Sequence, residues 1–262
     1  MKSSKSKKKY KQSLKSHNYK AIIFDVDGTL VNGRYALPSE KVTEVVNKAR
    51  GKIHIGLATS RPIFMLSTLI KHLKLSGPSI IDSGATIIDS TTEKILWQKT
   101  TLNEDVKKIR EIAKDNSLDL ILSDGKVDIP DKNYKNETVL QLWIPDIEPL
   151  LGEKVRQTIS KIPTLAVYQV YSWKEGRVDL IMTHSEATKQ HGILEIAKIL
   201  NINTHEIIAV GDGYNDFPLL MACGLKIAMG NAVDDLKAIA DYIAPRIEED
   251  GAADVIERFV LS

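Results

Sequence analysis

Short uninterrupted apolar runs, each closed by polar residues, recur along the chain: Ala21-Ile22-Ile23-Phe24, Ile55-Gly56-Leu57-Ala58 within a strand expected over 53–58, Ile80-Ile81 and Ile207-Ile208-Ala209-Val210. A run of that length without alternation predicts a strand buried on both faces, as a parallel sheet requires. Between the runs the apolar period lengthens to that of a helix. Val42, Val45, Val46 and Ala49 follow Pro38-Ser39-Glu40, with Ser39 as a candidate N-cap. A second helix is predicted from Pro62 to about Leu73, with proline in the first turn, where its missing N–H costs nothing. Strands alternating with helices predict an α/β fold on a doubly wound parallel sheet.

The pattern changes across residues 85–183. Hairpin-like pieces are predicted at 86–88 and 95–98, then a strand at 118–122 ahead of the turn Ser123-Asp124-Gly125-Lys126. Further strands are expected at 138–144, 165–171 and 177–182, and helices around Val106, Ile109 and Ile112 and around Val155 and Ile159. Strands and helices without strict alternation predict an α+β insert on a mixed or antiparallel sheet. The strand–helix alternation resumes at Glu186. The expected organisation is a Lys-rich tail over 1–18, a core domain over 19–84 and 184–262, and an inserted α+β domain over 85–183.

Charged groups gather just past the apolar runs. Asp25 and Asp27 stand two apart in Asp25-Val26-Asp27-Gly28-Thr29-Leu30, immediately after the first run. Both emerge at the strand's carboxyl end, where open α/β sheets hold their ligands. Carboxylates this close repel unless they share a cation or a proton, so a metal and acid-base chemistry are expected. Gly211-Asp212-Gly213-Tyr214-Asn215-Asp216 follows the last run, with a helix expected to begin near Asn215. Thr59-Ser60-Arg61 closes the second run, and Lys189 stands near the start of a helix. Asp, Thr, Lys and Asp in this order, with DVDGTL and GDGYND, resemble the four motifs of the haloacid-dehalogenase-like phosphohydrolases. Ala228-Met229-Gly230-Asn231-Ala232, Ala240-Asp241-Tyr242 and Glu249-Asp250-Gly251 are similar to the Cof-type sugar-phosphatase subgroup. The resemblance runs from Lys20 to the C-terminus and fades between Ala85 and Thr183.

The resemblance implies a Rossmann-like core with an α+β cap inserted after the third strand. It also implies a Mg2+-dependent phosphatase for a small phosphorylated metabolite, sugar phosphates among the candidates, working through an aspartyl-phosphate. Asp25 would be the nucleophile and Asp27 the general acid-base. The Asp25 carboxylate, the Asp27 backbone carbonyl, Asp212 and Asp216 would hold the metal. Lys189 would bridge Asp25 and the phosphate, while Thr59, Ser60, Arg61 and Asn215 would bind substrate. Ser60 stands where the family more often has glycine. A phosphomutase of the phosphomannomutase type shares the scaffold and stays open as an alternative. A nucleic-acid-binding protein on a degenerate phosphatase fold is the non-enzymatic one.

Composition bounds these readings. The chain has 262 residues, 43% of them apolar and 27% charged, as in ordinary globular proteins. No apolar run approaches the roughly 18 residues of a membrane span, and no secretory apolar segment opens the sequence. A single cysteine, Cys223, excludes an internal disulfide, and a cytoplasmic location is expected. The first 20 residues hold eight lysines and no acid, leaving 28 basic and 34 acidic groups in the rest. Such a Lys- and Ser-rich segment cannot bury enough surface to order itself. A solvated tail is expected, with nucleic acid or anionic lipid contact, or targeting, as the alternatives.

The remaining candidates are weaker. His184 and His191 flank Lys189 on an expected helical stretch but lack a third ligand at zinc spacing. Trp97, Trp143 and Trp173 are expected to pack the insert, and Cys223 to pack the core. Specificity is expected in the insert, with Asp124, Lys126 and Asp128 around its polar turn and Arg177 as candidates.

Overall fold

The computed structural model describes residues 18–135 and 137–262. From the N-terminal side the chain forms β1 (Ala21–Phe24), α1 (Glu40–Ala49), β2 (His54–Leu57), α2 (Ser67–Leu73) and β3 (Pro78–Ile81). The hydroxyl of Ser39 accepts from the Val42 N–H at 3.1 Å and caps α1, which buries Val42, Val45, Val46 and Ala49. The helix expected from Pro62 starts later. A 3-10 turn at Ile63–Met65 comes first, because Pro62 is extended and sits outside as its N-cap. Lys74, in the left-handed conformation at φ 51°, ends α2.

β4 (Thr86–Asp89) and β5 (Ile95–Gln98) follow, then α3 (Asn103–Asp115), β6 (Ile121–Ser123), β7 (Asp128–Pro130), β8 (Gln141–Ile147), α4 (Pro149–Ile159), β9 (Leu165–Tyr171) and β10 (Val178–His184). The chain closes with α5 (Lys189–Leu200), β11 (Ile207–Gly211), α6 (Phe217–Ala222), β12 (Leu225–Ala228), α7 (Asp234–Ile239), β13 (Tyr242–Ile243) and α8 (Gly251–Phe259).

The core sheet has the order β13-β12-β11-β1-β2, every neighbouring pair parallel, as the continuous apolar runs require. Ile22, Ile23 and Phe24 in its centre are fully buried, each contributing about 1.5–3 kcal/mol of transfer free energy. The insert carries a second, antiparallel sheet in the order β7-β6-β8-β10-β9. Its strands alternate. Leu122, Leu142, Ile144, Leu180 and Met182 join Val106, Ile109, Val155 and Ile159 of α3 and α4 in a second hydrophobic cluster. Ser123, Gln141, Trp143, Asp179 and Ile181 occupy the alternate positions.

The hairpin pieces expected to open the insert belong elsewhere. β4 pairs antiparallel with β3 and β5 with β4, and Ile87 and Ile88 pack into the cluster that holds β1. The turn at Asp82–Gly84 returns the chain directly alongside β3, so the second cluster begins only with Val106. Strand β8 also runs three residues further along the chain than the apolar pattern indicated. His184 ends β10 and does not lie on a helix. Among the described residues no helix is long and apolar enough to cross a membrane. The reading of the Lys-rich tail falls almost wholly on residues 1–17, outside those described.

Candidate active site

Sheet register assembles the site. Phe24 lies opposite Leu57 on one side and Val210 on the other. The Asp25 N–H donates to the Val210 carbonyl and the Ala58 N–H to the Phe24 carbonyl, each at 2.8 Å. Asp25, Thr59 and Asp212 therefore leave three adjacent strands at the same edge.

α5 supplies the counter-charge. Thr188 is its N-cap, which sets Lys189 at the first helical position. The buried Lys189 Nζ donates at 2.6 Å to Asp25 Oδ1 and at 2.6 Å to Asp216 Oδ1. The other Asp216 oxygen accepts from the Asp212 and Gly213 N–H groups, both at 2.9 Å. Asp216 thus spends both oxygens on fixing Lys189 and the loop that carries Asp212. The hydroxyl of Thr29 donates to Asp212 Oδ1 at 3.0 Å. Gly28 has φ +78°, and a Cβ there would lie 2.2 Å from Asp212 Oδ2. Only glycine lets the two carboxylate loops approach this closely.

Asp25, Asp212 and Asp216 present ligand oxygens all within 4.8 Å of one another. The electrostatic cost is visible in their acidities. Burial raises the Asp25 carboxyl well above its usual range, with Asp216 adding to the shift and Lys189 opposing it. Asp212 is pushed up to about 7, by burial first and then by Asp216. Burial works against the Lys189 charge, but Asp216 and Asp25 outweigh it and hold the ammonium protonated. One lysine does not neutralise three carboxylates. A hard cation with oxygen ligands would, and this donor set fits one.

Asp27 stands apart from that cluster. Arg61 grips both its oxygens, Nε to Oδ2 at 2.9 Å and Nη2 to Oδ1 at 2.5 Å. Arg61 also donates to the Arg34 and Gly33 carbonyls at 2.8 and 3.1 Å. The sequence suggested Arg61 as a contact to substrate phosphate; the structure turns most of its donors onto Asp27 and the neighbouring loop. Thr59 is buried, and its oxygen accepts from the Arg61 N–H at 3.1 Å, which leaves its proton to donate. Ser60 is not among the residues at positive φ, so the serine in place of glycine imposes no backbone strain. Asn231 is a contributor that motif reading left without a role. Its amide donates to the Gly28 carbonyl at 2.8 Å and accepts from the Ile247 N–H at 3.0 Å, tying the loop after β1 to the C-terminal segment.

A cavity of about 560 Å³ opens over these groups. Its floor includes Asp25, Asp27, Thr59, Ser60, Arg61, Asp212 and Asn215, and its roof is the insert's sheet. Lys189 lies beneath, between the floor acids. Of the expected specificity residues Asp128 lines the cavity, whereas Asp124, Lys126 and Arg177 do not. Asp124 instead caps its own turn, accepting from the Lys126 and Val127 N–H groups. Trp143 and Trp173 line the cavity rather than only packing the insert, and Trp173 is 60% exposed. Trp97 packs against the core. The histidines are used locally: His184 Nδ1 accepts from the Glu186 N–H at 3.0 Å, and His191 Nδ1 lies 2.9 Å from the Thr188 hydroxyl.

A parallel-sheet core whose strand ends converge on an acidic, lysine-bridged cluster under an inserted roof is the architecture of a hydrolase. The family model described as haloacid dehalogenase-like hydrolase matches residues 22–142 and 125–256, and the chain belongs to that family. Curated relatives carry phosphatase names. The "Putative phosphatase YxeH" of Bacillus subtilis is 24% identical over 270 residues, covering 93% of this chain and 99% of its own. A "Phosphoglycolate phosphatase" of Methanopyrus kandleri is 27% identical over 242 residues, covering 91% and 96%. Among solved structures, the subclass IIB sugar phosphatase BT4131 superposes with a TM-score of 0.78 at 26% identity, covering 92% of this chain and 98% of its own. The phosphatase BT1666 from Bacteroides thetaiotaomicron gives 0.80 at 22% identity, covering 93% and 96%. The protein is thus an enzyme of the phosphoric monoester hydrolase class.

Proposed function

We propose that this phosphatase is Mg2+-dependent and hydrolyses a small phosphorylated metabolite, a sugar phosphate by class, through a phosphoryl group carried transiently on Asp25. The lysine-bridged Asp25 on the cavity floor is the observation that carries the reading. With one oxygen held by Lys189, the other attacks phosphorus, and the ammonium offsets repulsion between carboxylate and phosphate. An O–P bond to Asp25 forms as the bond to the leaving oxygen breaks. Asp27 gives that oxygen a proton, then takes one from the water that cleaves the acyl phosphate and returns Asp25. Because Arg61 holds both Asp27 oxygens, one of those contacts must open for either transfer. Thr59, the Ser60 N–H and Asn215 offer donors to the phosphoryl oxygens.

Asp25, Asp212 and Asp216, with the Asp27 carbonyl, would hold Mg2+, which would supply neutralising charge for phosphate and nucleophile. A cytoplasmic setting belongs to the same reading, since Cys223 is buried with its thiol pushed up by burial and calls for no oxidising compartment. The test is phosphate release from p-nitrophenyl phosphate and a panel of phosphorylated metabolites with Mg2+. Asp25→Asn should abolish turnover with unchanged circular dichroism. Full turnover by the folded variant would end the assignment.

A further inference from the structure

The chemistry of the cavity roof differs from that of its floor. The floor recognises what all phosphate esters share, so the roof must meet the leaving group. Among the described residues that line the roof there is no lysine, arginine or histidine. Its charged side chains are two acids, Asp128 and Asp179, with Trp143 and Gln141 between their strands. Asp179 is nearly buried and is fixed by the Asp146 N–H at 2.9 Å and the Trp143 side chain. Among the described residues two arginines line the cavity, both from the floor. Arg61 is clamped to Asp27, whereas Arg34 is exposed at the cavity's edge, away from the roof strands in sequence. Against the roof itself a second anion on the substrate would therefore meet two carboxylates and no cation. A hydroxyl or ammonium would find acceptors.

We infer that the roof selects phosphomonoesters whose leaving group is uncharged or cationic and carries hydrogen-bond donors, and that Asp128 and Asp179 set this choice by repelling carboxylates and second phosphates. The inference rests on the phosphatase reading and narrows it. It also weighs against the phosphomutase alternative, whose bisphosphate would bring a second phosphoryl group to this roof. Like charges set against one another in a partly desolvated site are disfavoured far more than the same groups in water.

The experiment uses the full chain with Mg2+ and p-nitrophenyl phosphate as reporter. Glucose 6-phosphate, glucosamine 6-phosphate and 6-phosphogluconate, matched in size but differing in leaving-group charge, are titrated in as competitors. Their inhibition constants are read whether or not each is turned over. The first two should compete about tenfold or more better than the carboxylate. Asp128→Asn and Asp179→Asn should each narrow that ratio, a readout that general damage to the site leaves in place. Equal competition by all three, tighter binding of 6-phosphogluconate, or a ratio unmoved in both variants overturns the inference. Failure to hydrolyse the reporter at all would instead overturn the phosphatase reading beneath it.

Discussion

Asp82 offers a test of the electrostatics away from the acidic cluster of Asp25, Asp212 and Asp216. It sits at the turn between β3 and β4, its carboxyl 1% exposed and neither oxygen within hydrogen-bonding geometry of a partner. Burial pushes its acidity from 3.8 up to about 7, with the Thr86 hydroxyl opposing and the Asp128 and Asp124 charges adding. An acid whose folded pKa exceeds its unfolded value keeps a proton that the unfolded chain gives up. Stability therefore falls as pH rises from about 4 to about 7 and levels off above. Three pKa units correspond to roughly 4 kcal/mol, an upper bound once local relaxation is allowed. Asp82→Asn cannot ionise, and asparagine tolerates the left-handed φ of 50° found there. The variant should match the wild type near pH 4 and exceed it by about 2–4 kcal/mol at pH 8. Urea unfolding followed by tryptophan fluorescence, at fixed Mg2+ across pH 4–8, measures the difference. Asp25 and Asp212 titrate in both proteins and cancel from it. A wild-type-minus-variant difference that does not change with pH would show that Asp82 is not held protonated.

Other outcomes follow from the same geometry. Chelation should abolish turnover and Mg2+ restore it, while Ca2+, larger and looser in coordination, should substitute poorly; activity surviving verified metal removal would refute the ligand set. Lys189→Met removes a cation bonded to two buried carboxylates and should cost about 3–5 kcal/mol in urea unfolding without metal, with added Mg2+ recovering part of it. Gly28→Ala should lower stability by about 1–3 kcal/mol and weaken the Mg2+ concentration dependence of activity, because its Cβ would displace Asp212. Arg61→Lys keeps the charge but cannot grip both Asp27 oxygens, so it should alter kcat for alkyl phosphates more than for p-nitrophenyl phosphate, whose leaving group needs less protonation.

Legibility in the sequence tracked how local the physics is. The parallel core was readable because a strand buried on both faces must be continuously apolar, and β1 and β11 are. Ser39 and Lys189 were readable for a similar reason: each marks a helix start. β4 and β5 were misplaced because nothing in a hairpin's own residues says which sheet it will extend. That was decided by Asp82 and Ser83, two non-glycine residues at positive φ, which turn the chain back onto β3.

In the site, what could be read were the groups fixed by a strand end, and what could not were the pairings between distant loops. Asp25 and Asp212 announce themselves by following apolar runs, but Arg61 lies 34 residues from Asp27, and only the folded loops show that its guanidinium is spent there. Asn231 is 203 residues from the carbonyl it supports. The roof was hidden for a different reason. On a half-buried antiparallel strand the sequence shows that residues alternate between faces but not what either face meets. Gln141 and Trp143 look like any polar and aromatic pair until β8 is set over Asp25. The residues proposed for phosphoryl transfer are therefore local, in motifs that the core sheet brings together. On the proposed reading the choice of leaving group lies in alternate positions of a second sheet, which acquire meaning only once the two sheets face each other.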